Sequence, residues 1–554
     1  MGIVDTATDP IGLGGVVRGT RSLVASGVLR PVRPDRLVRA AAALVRDGIS
    51  PAAAYGLGAA RFPGELALVD DRGTLTFDEA SHRIAGLASS LAGTGVGRGD
   101  RVGLLCRNGR GFVLAAAALS SLGADVVLLN VSSSTEEIGA ALDGQGSTLL
   151  VHDDVFDDRL QALPPGIRRL VVAHDTAEGP TPSIDDLGTG ADRRHRMARY
   201  PGSRFVLLSS GTTGVPRGTS RPVPLSLDPL AALLLRIPLR ARDTTLIASP
   251  LFHAWGFGQL GLGMFLSSTV VLQAEFDPEA ALAAVARHRV RVLVAVPVML
   301  QRLVELPAGT FRRYDTSSLE VVASSGSALP GDLALRFMDR FGDVLYNIYG
   351  STEAAWASIA GPADLRADPR TAGRPPPATA LRIVADDGTP LPAGEVGRIV
   401  VRNSLTVPDG APGRHRPVPD GFVATGDLGH VDAGGLLVVD GREDDMIVSG
   451  GENVYPQEVE DLLSRHPAIL EAVVIGVSDE EFGQRLRAVV VPRVPGAITD
   501  DAVRTYVHDH LSRFKVPRDV VFVDALPRTA TGKPLHRVHA EDGGAPTGAQ
   551  VSNP

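Results

Sequence analysis

The chain is 554 residues long, 44 % hydrophobic and 21 % charged, with a formal net charge of −8. That length exceeds what one core serves, so at least two domains are expected, and the composition excludes wholesale disorder. The acidic balance carries no electrostatic footprint for nucleic acid, and a single cysteine, Cys106, excludes an intramolecular disulfide and a cysteine-rich zinc site while fitting a reducing cytoplasm.

Residues 1–60 read as a mixed leader. Its first twenty residues lack an apolar run after positive charge, so no signal peptide is read, and Pro31 and Pro34 precede a helix expected over 35–46. From Leu66 strands and helices alternate: a strand at 74–77, a helix from Asp78 towards Leu91, a buried strand at 101–105, a helix at 112–122 and a strand at 125–129. The stretch 112–129 is the most apolar of the chain. Ser120, Ser121, Gly123 and Asp125 interrupt it, so a buried helix and strand are favoured over a membrane span. Peripheral membrane contact stays open.

The alternation returns with strands at 205–208, 245–247, 270–272, 292–296, 321–323 and 344–346, and a helix at 278–288. This β-α-β rhythm argues for an α/β protein with parallel sheets flanked by helices. Between 362 and 420 proline and glycine become dense around a strand at 397–402, which suggests a small β-rich subdomain; 407–419 reads as a loop. A polar junction at 441–445 precedes a compact α+β segment with strands at 471–477, 487–492 and 520–523 and helices at 456–465 and 500–511. The organisation expected is a domain over 1–441, a junction at 442–445, a second domain over 446–540 and a disordered tail over 541–554.

Three short motifs carry candidate chemistry. Ser209-Ser210-Gly211-Thr212-Thr213-Gly214-Val215-Pro216-Arg217-Gly218 follows an apolar strand; its glycines let backbone N–H groups converge on an anion, and its hydroxyls add donors. It lacks the Gly-Lys-Ser/Thr of a P-loop, and by itself such a run is as often a plain turn. In Tyr349-Gly350-Ser351-Thr352-Glu353 a carboxylate beside hydroxyls could hold Mg²⁺ on a nucleotide; the alternative is a helix start with Ser351 or Thr352 as N-cap. Asp427 in Thr425-Gly426-Asp427 could bind ribose hydroxyls, a weak signal alone.

Basic residues supply the fourth candidate. Only two of the 55 are lysines, Lys515 and Lys533, the latter in Thr531-Gly532-Lys533. Arginine is a planar fork, whereas lysine is a compact, mobile point charge suited to following a phosphate or carboxylate; chance survival is the plain alternative. His253 stands between Phe252 and Trp255, where a hydrogen-bonded core histidine competes with a role at a ligand. The other histidines show no metal-ligand spacing.

Taken in order, these motifs resemble the adenylate-forming superfamily of acyl-CoA synthetases, adenylation domains and luciferases, over nearly everything from residue 60 to 540. The segments that carry the resemblance are 209–218, Pro250-Leu251-Phe252-His253, 349–353, 425–427, Gly441-Arg442-Glu443-Asp444-Asp445 and Pro527-Arg528-Thr529-Ala530-Thr531-Gly532-Lys533. Gly450-Gly451-Glu452-Asn453-Val454-Tyr455-Pro456 and 511–518 look most like fatty and aryl acyl-CoA ligases, and the leader with 98–130 resembles long-chain fatty acyl-CoA ligases of actinobacterial type.

The resemblance implies a large N-terminal domain of two helix-flanked sheets plus a β-rich subdomain, and a small mobile C-terminal domain. It implies a two-step reaction: a carboxylate attacks the α-phosphate of Mg·ATP, and CoA then displaces AMP from acyl-AMP. By analogy, Ser209, Ser210, Gly211, Thr212, Thr213, Gly214 and Arg217 grip the phosphates, Thr352 contacts the α-phosphate and Glu353 holds Mg²⁺. Gly326, Ser327 and Ala328 line the adenine slot with Gly350 and Ser351 nearby, Tyr349 stacks on the base, and Asp427 and Arg442 bind the ribose. Lys533 bridges carboxylate and α-phosphate, Asp444 is the hinge, Gly450, Gly451, Glu452 and Asn453 meet CoA, and His253 gates the acyl tunnel or contacts the carboxylate.

Two departures stand out. Arginine occupies position 217 where the family usually has lysine, and 404–420 lacks the aromatic-glycine turn of close relatives. Three functions compete: an acyl-CoA ligase for a medium- to long-chain fatty acid, an adenylating ligase that passes its acyl group to a carrier-protein thiol or an amine, and a non-catalytic nucleotide-binding protein. The segment 450–456 favours CoA, and the joint presence of Lys533, Glu353, Asp427 and Arg442 argues against the third. Aryl and sterol acids remain open, as does the oligomeric state.

Overall fold

The computed structural model describes residues 13–28, 33–36, 38, 40, 50–164, 166–172, 203–209, 217–220, 228–351, 354–406, 420–443, 447–449, 452–479 and 483–528. Four sheets organise them. The first has eight strands in the order Ser358–Ala360, Leu345–Tyr349, Val321–Ser324, Val292–Ala295, Thr244–Ile247, Thr269–Leu272, Leu66–Asp70 and Gly73–Thr76. Its inner pairs are parallel and both edge pairs antiparallel. The second has six strands, ordered Arg168–Val171, Leu149–His152, Arg101–Leu105, Asp125–Leu128, Phe205–Ser209 and Arg217–Ser220, parallel except for the last pair.

The third sheet is antiparallel: Thr371–Gly373, Leu437–Arg442, Val423–Val431, Gly397–Arg402 and Ala380–Val384. The fourth is built around Ile469–Asp479 and Gly483–Pro492, with the hairpin Ile447–Ser449 and Glu452–Val454, and Asp519–Phe522 in parallel on Gly483–Pro492. The helices Pro456–Ser464 and Asp500–His510 cover its core of Val459, Leu463, Val474, Ala488 and Val503. There Lys515 Nζ stands 2.6 Å from a Glu458 oxygen.

The main core lies between the first two sheets, drawing Leu68, Val270 and Val294 from one and Leu104 and Val126 from the other. The helix Arg110–Ser121 runs through it with every residue buried. Its Ala115–Ala118 run explains why: small side chains let a helix be enclosed on all faces at native packing density. This, followed by the fully buried strand Asp125–Leu128, is the helix–strand reading of the most apolar stretch. Among the described residues no helix is long and apolar enough to cross a membrane. Two polar links tie the sheets where that helix starts. Arg110 pairs with Asp70 at 2.5 Å, both nearly buried, and Asn108 reaches Ser249 and Leu251.

The N-terminal stretch departs from expectation. Leu13–Ala25 is a helix, and so is Pro51–Arg61, whose Tyr55 packs on Phe77 within the main core. The chain from Ser50 onward is therefore part of the core and not a leader. Of the helix expected over 35–46, only residues 35, 36, 38 and 40 are described, all helical. The loop 407–419 and the tail 541–554 lie outside the described residues.

Candidate active site

Parallel sheets collect ligand-binding residues beyond the carboxyl ends of their strands. In the first sheet four neighbouring strands end there, and three of them deliver sequence candidates. Thr244–Ile247 leads into Ser249–His253, Val292–Ala295 into Val296–Pro297, Val321–Ser324 into Gly326-Ser327-Ala328, and Leu345–Tyr349 into Gly350-Ser351. Gly326 has φ +92°, a left-handed conformation that glycine adopts without strain, and a Cβ there would lie 3.3 Å from Val296 Cγ1.

Tyr349 reaches across to the third sheet. Its hydroxyl donates to Asp427 Oδ2 at 2.6 Å and lies 3.1 Å from Thr425 Oγ1. Thr425 is itself fixed: its hydroxyl donates to Ile399 O, and its oxygen accepts the Asp427 N–H at 3.2 Å. Asp427 and Arg442 are register partners on adjacent antiparallel strands, and Arg442 Nη1 stands 3.7 Å from Asp427 Oδ1. Burial first, and then the Asp427 charge, push the Tyr349 phenol well above its usual range, so it stays a donor. The product is a carboxylate oriented from two sides, with an arginine that is 46 % exposed at its margin.

Residues 352 and 353, where the sequence also allowed a helix start, lie outside the described residues. Ser351 Oγ accepts the Ala354 N–H at 3.0 Å, and the described residues after it form a turn. Ala355 has φ +65°, and the Ala357 N–H returns to Tyr349 O at 2.7 Å, which reverses the chain. Gly350 makes that reversal feasible, because a Cβ would sit 2.0 Å from Ala355 O. Asn403 holds the turn from outside, its Nδ2 donating to Ala354 O and Trp356 O, both at 3.0 Å.

His253 is the N-cap residue of the helix Ala254–Phe265, half-buried, with its ring 4.4 Å from that of Phe252. Trp255 donates its indole N–H to Ala295 O at 3.0 Å. Gly256 is obligatory below it, since a Cβ would lie 2.2 Å from Pro250 O. On the helix that His253 caps, Trp255 and Phe257 are half-buried against the main core, with Phe205 4.6 Å from Phe257.

Of the sequence candidates, Tyr349, Gly350, Asp427 and Arg442 are brought together, with Gly326, Ser327, Ala328, Ser351 and His253 placed at the same carboxyl edge of the first sheet. Ser209 and Arg217 lie on paired strands of the second sheet, and Glu452 and Asn453 on the hairpin of the fourth. Ser210, Gly211, Thr212, Thr213, Gly214, Thr352, Glu353, Asp444, Gly450, Gly451 and Lys533 lie outside the described residues. Sequence reasoning missed Asn108, Thr425 as a holder of Asp427, and Asn403; lone polar residues at strand ends give no signal of partners far along the chain. Among the described residues no group of three or more His, Cys, Asp or Glu side chains could hold a metal ion.

Residues 57–408 match the AMP-binding enzyme family and 458–533 the AMP-binding enzyme C-terminal domain. The chain belongs to the AMP-binding enzyme family. This AMP-binding enzyme is 35 % identical over 467 residues to a feruloyl-CoA synthase of Amycolatopsis sp, covering 83 % of this chain and 92 % of that one. It is 32 % identical over 485 residues to an indoleacetate–CoA ligase of Aromatoleum aromaticum, covering 85 % and 94 %. Its fold matches that of o-succinylbenzoate CoA synthetase from Bacillus subtilis, solved with an acyl-adenylate intermediate, with a TM-score of 0.76 at 28 % identity, over 88 % and 98 % of the two chains. The AMP-binding enzyme is thus an acyl-CoA ligase that works through acyl-AMP, with ATP, Mg²⁺ and CoA as the other participants. The resemblance to long-chain fatty acyl-CoA ligases finds no support in these relatives, whose named acids carry rings.

Proposed function

We propose that this ligase activates a hydrophobic carboxylic acid bearing a ring system and transfers it to CoA. The observation that carries the reading is the agreement of the relatives on ring-bearing acids (feruloyl, indoleacetate and succinylbenzoate). The aromatic side chains Trp255 and Phe257, on the helix that His253 caps, support it, because flat rings pack well against offset or edge-on aromatic walls.

The nucleotide is read as docking at the junction of the first and third sheets. Asp427, held by Tyr349 and flanked by Arg442, offers the acceptor pair that a ribose diol needs. Gly326, Ser327 and Ala328 form the adenine side beside Tyr349. The 209–218 loop, with Arg217 as its cation, takes the phosphates; Thr352 contacts the α-phosphate and Glu353 the Mg²⁺ carried by ATP. His253 meets the acid.

Adenylation joins two anions, and Coulomb repulsion between unit charges about 4 Å apart amounts to roughly 4 kcal/mol at an effective dielectric of about 20. Lys533 is assigned the ammonium that offsets it. Attack by the acid oxygen breaks the α–β phosphoanhydride and releases pyrophosphate; CoA sulfur then forms the thioester and AMP leaves. Asp444 is assigned the hinge between these half-reactions, with Gly450, Gly451, Glu452 and Asn453 on the CoA side. Rigid rotation about one or two backbone positions is an established mode of domain movement.

The test is a pyrophosphate-release screen with ferulate, indole-3-acetate, 2-succinylbenzoate, octanoate and palmitate, each with and without CoA. Ring-bearing acids are expected to give the higher kcat/KM, with a CoA thioester as product. Higher kcat/KM for palmitate would restore the long-chain reading. Pyrophosphate release with acyl-AMP accumulating in CoA would point to a carrier thiol or an amine as acceptor.

A further inference from the structure

Asn108 stands just past the carboxyl end of Arg101–Leu105 in the second sheet, where the fully buried helix Arg110–Ser121 begins. Its carboxamide is buried and bonded at both its nitrogen and its oxygen. Nδ2 donates to Ser249 O at 3.0 Å, and Oδ1 accepts the Leu251 N–H at 2.8 Å, partners 141 and 143 residues away. Those two backbone groups flank Pro250, which has no N–H to bond. One planar side chain therefore closes both open backbone groups of a turn that cannot close them itself.

The turn so held leads directly to His253. The His253 N–H meets Pro250 O at 3.3 Å, and the Phe257 N–H returns to His253 O at 2.9 Å as the helix starts. Gly256 presses on the Pro250 carbonyl from below, and Trp255 ties the first helical turn to Ala295. The Trp255 contact and the Ser249 N–H on Val294 O, at 3.4 Å, fix the segment to the first sheet. Asn108 alone of these contacts fixes it to the second, two residues from the Arg110–Asp70 pair that joins the same sheets.

We propose that Asn108 is a positioning residue for acid activation: its carboxamide sets the height of the Ser249–His253 turn, and so the placement of His253 against the carboxylic acid. This rests on the reading in which His253 meets the acid. Loss of Asn108 then acts on acid binding and leaves the nucleotide residues Tyr349 and Asp427, on other strands, in place.

The experiment measures KM for acid and for ATP, and kcat, by pyrophosphate release in the full-length enzyme with Asn108→Ala, Asn108→Asp, His253→Ala and Asn108→Ala/His253→Ala. Asn108→Ala is expected to raise acid KM about tenfold with ATP KM within about twofold, since it removes positioning and not nucleotide contacts. Asn108→Asp keeps the acceptor for Leu251 but turns a buried carboxylate oxygen towards Ser249 O, so its acid KM is expected to rise at least as much as that of Asn108→Ala, and an unchanged ATP KM in either variant reports an intact fold. Adding Asn108→Ala to His253→Ala should change acid KM by less than about twofold, because residues acting through one another are not additive. Acid and ATP KM rising together in both Asn108 single variants, or multiplicative effects in the double variant, overturns the proposal. His253→Ala with unchanged acid KM sinks the histidine reading instead, and the acid-versus-ATP split in Asn108→Ala then decides Asn108 alone.

Discussion

The Tyr349 hydroxyl and the Asp427 carboxylate, 78 positions apart, share a 2.6 Å hydrogen bond that joins the parallel first sheet to the antiparallel third. Burial keeps the phenol protonated, so the bond is a permanent donor to the carboxylate read as the ribose acceptor. Tyr349→Phe keeps the ring and removes the donor. A hydrogen bond to a charged group contributes about 1.5–3 kcal/mol, so ATP KM is expected to rise roughly tenfold with acid KM nearly unchanged. Steady-state kinetics with each substrate varied in turn checks this, and an unchanged ATP KM would remove Tyr349 from ribose recognition.

Gly350→Ala is expected to be far more damaging than its size suggests. The added Cβ would lie 2.0 Å from the Ala355 carbonyl oxygen, and that atom is backbone in a turn already holding Ala355 at φ +65°. Relief requires the turn to move, and with it Ser351. A fall in kcat/KM of at least about 100-fold is expected, in line with the cost of misplacing reacting groups by about 1 Å. Near-native turnover would show that this turn is not part of the site.

Lys533→Ala should slow adenylation by roughly 100-fold or more, the scale of losing one preorganised charge or donor at a reacting phosphoryl group. Thioester formation from supplied acyl-AMP should proceed at the wild-type rate. Arg528, five positions earlier, forms an ion pair with Glu471 at 2.6 Å, both side chains about one-fifth exposed. Glu471→Gln is therefore expected to reduce adenylation a few-fold by loosening the base of that segment, an effect of about 1 kcal/mol. Rapid-quench measurement of each half-reaction separates these outcomes; equal losses in both would refute the assignment of Lys533.

Asp461, on the helix Pro456–Ser464, provides a pH test. Burial raises its carboxyl to about 6, against the opposing pull of Arg465 and Arg370 and with a further push from Glu458. The unfolded chain releases this proton near 3.8, so between about pH 4 and 6 the folded state binds more protons than the unfolded one. Stability from this group accordingly falls as pH rises through that window, and the cost persists above it, at most about 3 kcal/mol for a two-unit gap. Asp461→Asn should raise the melting temperature at pH 7.5 and flatten its decline between pH 4.5 and 6.5. An unaltered pH profile would place the titrating group elsewhere.

Strands whose apolar runs are bounded by turn residues were legible: 101–105 and 397–402 coincide with Arg101–Leu105 and Gly397–Arg402. The helix Pro51–Arg61 was not, because Gly56 and Gly58 lower helix propensity in a stretch that reads as a leader. In the fold Gly58 is a packing residue, since a Cβ there would come within 2.3 Å of the Phe77 ring. Periodicity carries no trace of such a distant neighbour. Tyr349, Asp427 and Arg442, which the structure brings together, were singled out through motif order, whereas their supports were not. Asn108 and Asn403 act on backbone atoms 141 and 49 positions away, and any asparagine beyond a strand reads as a turn former.

The ion pair that covers Lys515 with Glu458 has a chemical corollary. Mixed anhydrides escaping from an enzyme of this kind acylate bare amines, and protein surfaces ordinarily offer many. Here one of two lysines is sheathed by a carboxylate and only 18 % exposed, and arginines supply every other cationic side chain except Lys533. The catalyst is thereby armoured against its own reactive product at every side-chain amine but the one assigned to the reaction.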